Sequence, residues 1–287
     1  MANVETKNKW VSQLDGLVQL KPMPAVAMQI MKACRDEQFN VRELVSLVEC
    51  DPAIAARVLS VVNSSAFGLS REVSTINQAV VVLGFKSLSR LAVSAATAKV
   101  FSDGKSSEED RMRLFDHSLG CAAVARVIVG GGQTSADAGE AFLAGMLHDI
   151  GKLVFFDLAP EEYRSLEQNR GTDSLLDLER DAFGLDHTAV GMKFGEFWGL
   201  PGGIKQAIAN HHLEQHDSEQ QLGTSVTTVT NIANDLAKIW GVGREIDTPL
   251  SPLAEDWLSS HDLDSTEEIR ARAISHFDEL KSLMGRQ

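Results

Sequence analysis

Apolar residues return along this chain at intervals of three and four positions, which is the period of an amphipathic helix. The segment PAVAMQIMKACRD, for example, places Val26, Ile30 and Ala33 on one face. The short run AVVVLGF, at 79–85, is rich in β-branched residues and is the one rival for a strand, but its flanks have the helical pattern. The pattern therefore predicts an all-α protein, folded as a multi-helix bundle.

Polar and glycine-rich segments divide the predicted helices into groups. The stretch SDGKSSEED, at 102–110, is the clearest polar linker and predicts a boundary between two packed subdomains. After it, one helix is predicted to end at the glycines 130–132, and another to run without a break through GEAFLAGMLHDIGKLVFF, at 139–156. A final helix is predicted to begin with a capping box formed by Ser265 and Glu268.

Composition and charge narrow the classes of partner. The 287 residues are 44% hydrophobic and 23% charged, as in ordinary globular proteins, and carry a formal net charge of −13. Such a charge repels phosphate backbones and anionic lipids, so we expect neither nucleic acid nor a membrane as a partner. With no signal-like N-terminus and no apolar run long enough to span a bilayer, the sequence favours a cytoplasmic protein.

Several of the eight histidines interrupt apolar helical faces instead of lying on polar ones. One such histidine is ordinarily a core residue hydrogen-bonded to a carbonyl group. Four predicted helices that each carry one favour a shared site, and imidazoles with a carboxylate suit a first-row divalent metal. The four histidines are His117, His148, His187 and His211, and Asp149 supplies the carboxylate.

Two of these histidines have a polar neighbour in the sequence, Asp149 after His148 and His212 after His211. Successive helical residues point about 100° apart, so each pair would straddle the bundle axis. The pairs therefore predict a centre for one or two metal ions, although His212 fits an exposed helix end equally well. His216, His261 and His276 lie in polar surroundings and are predicted to be surface residues.

The segment MLHDIGKLV, with HSLGCAAVAR before it and FGLDHTAVGMKFGEFWGLP and AIANHH after it, resembles the HD superfamily of metal-dependent phosphohydrolases. The first half of the chain, with KPMPAVAMQIMKACRD and DPAIAARVLSVVNSSAFG, resembles the HDOD family, the HD-related output domain of bacterial signalling proteins. The resemblance covers about residues 14 to 241. It implies an N-terminal helical subdomain at 14–101 and an HD-like helical bundle at 108–241, and leaves a C-terminal helical extension at 246–287.

The resemblance also implies a set of metal ligands for one or two divalent ions, with iron, manganese and zinc as the candidates. The matching positions are His117, His148, Asp149, His187 and His211, with His212 as the next candidate. The last ligand of an HD site is normally an aspartate, but here Asn234 stands at that place and Asp235 follows it. Asparagine offers an oxygen without a charge, so this site should bind metal more weakly or hold one ion in place of two.

Two functions follow from the resemblance. In the first, the chain is a bacterial signalling module with a retained metal site. Because no receiver, kinase or cyclase segment is attached, its protein partner is expected to act in trans. In the second, it is a metal-dependent phosphohydrolase acting on a nucleotide or phosphodiester. Asp149 would then bridge or orient the ion and its water, and Lys152 would steady the phosphate, unless Lys152 is a surface lysine that only packs its stem.

Overall fold

The computed structural model describes residues 10, 13, 16, 25–33, 40–63, 73–102, 106–131, 134–169, 173–212, 225–243 and 250–283. These residues form α-helices and no strand, which confirms the all-α prediction. The helices are α1 (Ala25–Ala33), α2 (Val41–Glu49), α3 (Pro52–Val62), α4 (Ile76–Leu83), α5 (Phe85–Ser102), α6 (Glu108–Gly130), α7 (Ala138–Leu147), α8 (Lys152–Leu158), α9 (Pro160–Asn169), α10 (Leu175–Phe183), α11 (His187–Phe197), α12 (Gly202–Asn210), α13 (Val226–Trp240), α14 (Pro252–Ser259) and α15 (Leu263–Leu283).

The chain divides into two compact units. One comprises Met1–Pro22 with Ser102–Ile274, and the other comprises Met23–Phe101 with Ser275–Gln287. The first unit extends past residue 246 because α14 packs against α13. The predicted segments 14–101, 108–241 and 246–287 stay a prediction about domain organisation.

In the second unit, α1 packs on α2, and α2, α3 and α4 pack on one another. Residues 79–83 of the AVVVLGF run lie in α4, whose N-cap Thr75 accepts a hydrogen bond from the Gln78 N–H group and whose end is set by Gly84 at φ 75°. The side chain of Asn63 joins the end of α3 to the segment before α4: its Nδ2 donates to the Val73 carbonyl group and its Oδ1 accepts from the Val73 N–H group, both at 2.7 Å. Ser64 and Ser65 lie outside the described residues.

No single helix in the described part of the chain is long and apolar enough to cross a membrane. The pair Ile76–Leu83 and Phe85–Val93 reaches the required length and composition only together, and it is bent by 119°.

In the first unit, α6 is the central helix and packs along α7 and α13. It begins at Glu108, inside the segment predicted to be a linker, because the Ser107 side chain accepts a hydrogen bond from the Asp110 N–H group, and it ends as predicted at the glycines that follow Val129. Every residue of this helix from His117 to Ala125 is buried. A polar side chain on that part of α6 therefore faces protein, and His117 is one of them.

The predicted continuous helix over 139–156 is wrong. Helix α7 ends at Leu147, and the chain makes a tight turn before α8 begins at Lys152. In this turn the Ile150 N–H group bonds to the Leu147 carbonyl group at 3.0 Å, a three-residue spacing in place of the helical four. His148 and Asp149 thus lie in a turn, and the 100° helical separation expected for them does not apply.

Two glycines explain the position of this turn. A Cβ atom on Gly145 would lie 2.8 Å from the Ala122 backbone, so glycine lets α7 approach α6 closely. A Cβ atom on Gly151 would collide with the carbonyl oxygen of His187 at the start of α11. Because both residues are glycines, the turn and the helix before it can lie close to α6 and α11 at the same time.

The predicted capping box at the start of the last helix is also wrong. Helix α15 begins earlier, at Leu263, and Asp262 accepts the hydrogen bond from the Ser265 N–H group at 2.7 Å. A carboxylate is a good N-cap, and the sequence offers this one three residues before Ser265.

Asp110 is a buried carboxylate in the first turn of α6, and it ties α6 to α9. Arg164 and Arg113 each approach its carboxylate oxygens to 2.5 Å, and the Ser107 hydroxyl donates to Oδ2 at 2.6 Å. Burial by itself raises the pKa of a carboxyl group, but the hydrogen bonds from Arg164, Ser107 and Arg113 outweigh burial and lower the pKa of Asp110 to about 2.

We expect Asp110 to contribute to acid stability. Because its folded-state pKa lies below the usual 3.8, its contribution is present above about pH 4 and is lost as the pH falls toward 2. Asp110→Asn should lower the free energy of unfolding at pH 7 by about 1–2 kcal/mol, allowing for the solvent around the two arginines. It should also flatten the loss of stability between pH 4 and pH 2, measured by urea unfolding. Glu109→Gln, at an exposed neighbouring position, is the control and should change neither quantity.

Candidate metal centre

The structure brings the predicted ligands together from five places in the first unit. His117 lies in α6, the His148–Asp149 pair in the turn after α7, and His187 is the first residue of α11. His211 and His212 follow α12, and Asn234 lies in α13. All of these side chains are buried except His212, which is half-buried. Separate elements therefore converge on one interior point.

Asp149 is at the centre of this cluster. Its Oδ2 lies 3.4 Å from His148 Nε2 and 3.7 Å from His117 Nε2. Its Oδ1 lies 3.3 Å from His187 Nε2 and 3.4 Å from His211 Nε2. One carboxylate therefore belongs to two groups of potential ligands, whose atoms lie within 4.8 Å of one another in each group: His117, His148 and Asp149 in the first group, and Asp149, His187, His211 and His212 in the second group.

The tautomers of three imidazoles follow from their other contacts. The Nδ1 atoms of His148 and His211 lie 2.7 and 2.9 Å from the carbonyl oxygens of Gly145 and Ile208. His187 Nδ1 lies 2.7 Å from a Glu179 carboxylate oxygen. Each Nδ1 therefore carries a hydrogen that it donates, so the neutral ring presents the lone pair of Nε2 toward Asp149.

Lone pairs that face a carboxylate repel it unless a cation lies between them. Two buried atoms at this point, His148 Nε2 and Asp149 Oδ1, make no hydrogen bond of acceptable geometry with the described residues. The donor set, imidazole nitrogen with carboxylate oxygen, is one that zinc, iron and manganese accept. The residues present therefore fit a divalent cation.

The ionisation of the cluster agrees with this arrangement. Burial lowers the pKa of His148, but the negative charge of Asp149 outweighs burial and raises it to about 10. A proton thus takes the cation's place on His148 when no metal is bound. Burial lowers the pKa of His211 to about 3, and it lowers the pKa of His117 and His212 well below 6.5, so these rings are neutral. Neutral imidazole is the form that binds metal.

Lys152 lies against Asp149, with its Nζ atom 2.8 Å from Oδ2. Its side chain is only 13% exposed, so Lys152 is not a surface lysine that only packs its stem. Burial lowers the pKa of its ammonium group, but Asp149 outweighs burial and raises it. Lys152 is therefore a charged neighbour of the carboxylate that both groups share.

The side chains of Asn234 and Asp235 point to different places in the structure. Asn234 Oδ1 lies 3.1 Å from His117 Nε2, so Asn234 faces the first group of ligands. Asp235 Oδ2 accepts a hydrogen bond from the Ser251 N–H group at 2.9 Å and points to the start of α14. The carboxylate next to Asn234 thus fixes a helix end and lies outside both groups.

One of the remaining described histidines belongs to a ligand group, and two lie outside both groups. His212 Nε2 lies 3.1 Å from His187 Nε2, which places His212 in the second group and not at a solvated helix end. His261 stacks on Trp257 and His276 lies 3.5 Å from Glu279, and neither belongs to a ligand group. His216 lies outside the described residues.

Sequence reasoning missed Glu179, a fully buried carboxylate in α10. One of its oxygens accepts hydrogen bonds from both the N–H group and the Nδ1–H group of His187 at 2.7 Å, and the other accepts from the Tyr163 hydroxyl group at 2.6 Å. A signal was present, because Glu179 interrupts an apolar face between Leu175 and Phe183 just as the histidines interrupt theirs. A carboxylate behind a ligating imidazole fixes its orientation and raises its basicity.

Glu179→Gln is expected to weaken metal binding about tenfold, because the charge behind His187 disappears while the shape of the side chain stays. The measurement is titration of the chelator-treated protein with Mn²⁺ or Zn²⁺. Glu162→Gln, at an exposed position of α9, serves as the control. An unchanged affinity in the Glu179→Gln protein would show that Glu179 has only a packing role.

One family model matches most of this chain. The model of the HDOD domain matches residues 20–214, which is more than half of the chain. The chain therefore belongs to the HDOD domain family, as the resemblance of its motifs indicates.

Solved structures share the fold over nearly the whole chain. An HDOD domain protein of unknown function from Geobacter sulfurreducens is 22% identical, with 91% of this chain and 92% of that chain covered and a TM-score of 0.73. A protein from Shewanella amazonensis SB2B, provisionally named a phosphohydrolase, is 20% identical over 96% and 97% of the two chains, with a TM-score of 0.72. A protein from Marinobacter aquaeolei VT8, provisionally named for signal transduction, is 20% identical over 99% of this chain and 67% of its own, also with a TM-score of 0.72.

One curated relative is an uncharacterised protein of Treponema pallidum (strain Nichols), 22% identical over 271 residues. The match covers 94% of this chain and 51% of that protein, so this chain spans about half the length of the relative.

Proposed function

We propose that this chain is a bacterial HDOD regulatory module built around a divalent-metal centre. The observation that carries the proposal is the position of Asp149, whose two oxygens face two different groups of buried imidazoles. Imidazole nitrogens gathered around one buried carboxylate make a poor core without a cation and a suitable site with one.

The two groups would hold ions with different strengths. The second group offers one carboxylate oxygen with three imidazoles: His187, His211 and His212. The first group offers His117, His148 and the other oxygen of Asp149, with the uncharged oxygen of Asn234 nearby. We expect one tightly held ion in the second group and a weaker one in the first, with iron, manganese and zinc as the candidate metals.

Asn234 also favours a regulatory function over a catalytic one. A carboxylate there would compensate the charge of a second ion, whereas an amide does not. A centre that holds one ion firmly can stabilise the fold and shape a surface for a protein partner acting in trans. The name of the Marinobacter aquaeolei protein supports a role in signalling.

A second candidate function, hydrolysis of a nucleotide or phosphodiester, is favoured by Lys152 beside Asp149 at 2.8 Å. A bound divalent ion supplies a water molecule of lowered pKa. In this chain Asp149 would orient that ion, and Lys152 would hold an anionic group next to it. The name of the Shewanella amazonensis protein supports this candidate.

Turnover by the metal-loaded protein separates the two functions. The substrates are p-nitrophenyl phosphate, bis(p-nitrophenyl) phosphate and a panel of nucleotides, and the reference is the protein in which His148 and Asp149 are both replaced by alanine. A regulatory module should release no more product than this reference. Turnover that needs both residues would establish the hydrolase instead and overturn the regulatory proposal.

A further inference from the structure

Tyr163, in α9, is separated from the metal-ligand cluster by one carboxylate. Its side chain is fully buried, and its hydroxyl group donates a hydrogen bond to Glu179 Oε1 at 2.6 Å. The other oxygen of Glu179 accepts from the backbone N–H group and from the Nδ1–H group of His187, both at 2.7 Å. A chain of hydrogen bonds therefore runs from α9 through α10 to the first residue of α11.

The support behind His187 differs from the support behind two other rings of the cluster. The Nδ1 atoms of His148 and His211 lie against backbone carbonyl oxygens of the helices that precede them. A helical carbonyl group is fixed by the backbone, whereas a glutamate side chain turns about three bonds and loses that freedom only when it is held. Glu179 can orient His187 only if Glu179 is itself held, and Tyr163 binds its opposite oxygen.

Three aromatic side chains fix the ring of Tyr163. Phe155 stacks on it with ring centroids 5.2 Å apart, and Phe156 meets it edge-on at 4.8 Å. Phe183, at the end of α10, lies at 6.2 Å. Because these contacts come from both α8 and α10, the hydroxyl group is held in one direction, toward Glu179.

The hydroxyl group of Tyr163 stays a donor. Burial raises the pKa of Tyr163 well above its usual value, and the negative charge of Glu179 raises it further. With the two hydrogen bonds from His187, the bond from Tyr163 gives the fully buried Glu179 carboxylate three donors. A buried carboxylate without such donors would be strongly unfavourable.

We propose that Tyr163 is a positioning residue of the metal centre, which holds the imidazole of His187 through Glu179 in the orientation that binds the ion of the second ligand group. This role rests on the metal centre proposed above, because that centre supplies the ion. Since Tyr163 belongs to α9, a change in the position of α9 reaches the ligand through two hydrogen bonds.

Loss of the hydroxyl group has two opposite effects on His187. It leaves more charge on the Glu179 oxygen that faces His187, which strengthens that hydrogen bond by about 10–30%. It also removes a whole charge-assisted hydrogen bond and frees the carboxylate to turn. The second effect is the larger one, so Tyr163→Phe should weaken metal binding about threefold, less than the effect of Glu179→Gln.

The first measurement is titration of the full, chelator-treated chain with Zn²⁺ for wild type, Tyr163→Phe, Glu179→Gln and the double variant. The double variant should bind Zn²⁺ within about twofold of Glu179→Gln alone, because Tyr163 acts through that carboxylate. Two losses that simply multiply would show that Tyr163 has only a packing role and would overturn the proposal. An unchanged or higher affinity in Tyr163→Phe would overturn it as well.

Thr188→Val is the matched control. The Thr188 hydroxyl group donates to Asp186 Oδ1 at 2.7 Å, a buried bond of the same kind next to His187 in the chain. Asp186, however, caps α11 by accepting from the Ala189 N–H group, and its role is to fix the helix end. Thr188→Val should therefore lower stability and keep the wild-type Zn²⁺ affinity. A loss of affinity equal to that of Tyr163→Phe would contradict a specific role for Tyr163.

The second measurement follows the orientation of the rings directly. In Zn²⁺-loaded protein labelled with ¹⁵N-histidine, NMR gives the rate at which each Nδ1–H hydrogen exchanges with water. Tyr163→Phe should accelerate exchange at His187 at least about threefold and leave His148 and His211 unchanged, because their partners are backbone carbonyl groups. A wild-type rate at His187, or equal acceleration at all three rings, would overturn the proposal.

The same titrations separate this role from the metal centre itself. If wild type binds Zn²⁺ and Glu179→Gln binds it more weakly, but Tyr163→Phe binds it like wild type, the role of Tyr163 is wrong and the metal centre stands. If wild-type protein binds neither Zn²⁺ nor Mn²⁺, both fail.

Discussion

Asp149→Ala protein is expected to purify with less than about a tenth of the metal bound by wild-type protein. Asp149 is the carboxylate shared by both ligand groups, and the other members of the groups are imidazoles, which bring no negative charge. Without it, a dication would enter a buried site with no compensating negative charge. Elemental analysis of protein purified without chelator measures the effect.

Two further variants complete this experiment. Asp149→Asn keeps the shape of the side chain and should lose metal nearly as completely, because the charge is what is missing. Asp177→Ala removes an exposed carboxylate in α10 and should keep the wild-type metal content. Full metal content in Asp149→Asn, with the fold intact by circular dichroism, would show that Asp149 is not a ligand.

Gly151→Ala is expected to lower the free energy of unfolding by at least about 3 kcal/mol, at the upper end of overpacking effects. The added Cβ atom would collide with the His187 carbonyl oxygen and lie 2.8 Å from the Gly191 N atom. Both contacts are with backbone of α11, which cannot rotate away as a side chain can. Urea unfolding followed by circular dichroism gives the change.

The matched control is Gly202→Ala. Gly202 is the first residue of α12, and a Cβ atom there meets nothing within 4 Å. Alanine should therefore be neutral or slightly stabilising at this position. In Gly151→Ala protein the metal affinity should fall together with stability, because His187 is displaced. Wild-type stability in that variant would contradict the close approach of the turn to α11.

The helical fold and the candidate ligands that converge in it were accessible from the sequence for one physical reason. A polar residue on an apolar helical face leaves a visible break in a regular pattern, and His117, His187 and His211 each make such a break. The end of α6 was equally accessible, because a glycine end acts locally. These signals do not depend on the rest of the chain.

The features that sequence reasoning missed depend on tertiary contacts. The turn at His148–Asp149 exists because Gly145 and Gly151 meet backbone from α6 and α11, and periodicity alone reads the same residues as continuous helix. The direction of Asp235 is set by Ser251, sixteen positions later.

The most direct test of the metal centre is anomalous X-ray diffraction from crystals of chelator-free protein incubated with Mn²⁺, Fe²⁺ or Zn²⁺. If the metal centre is correct, an anomalous peak will lie about 2.0–2.3 Å from an oxygen of Asp149 and from the Nε2 atoms of the second-group histidines. Well-ordered histidine and aspartate side chains without such a peak, for all three metals, would contradict it.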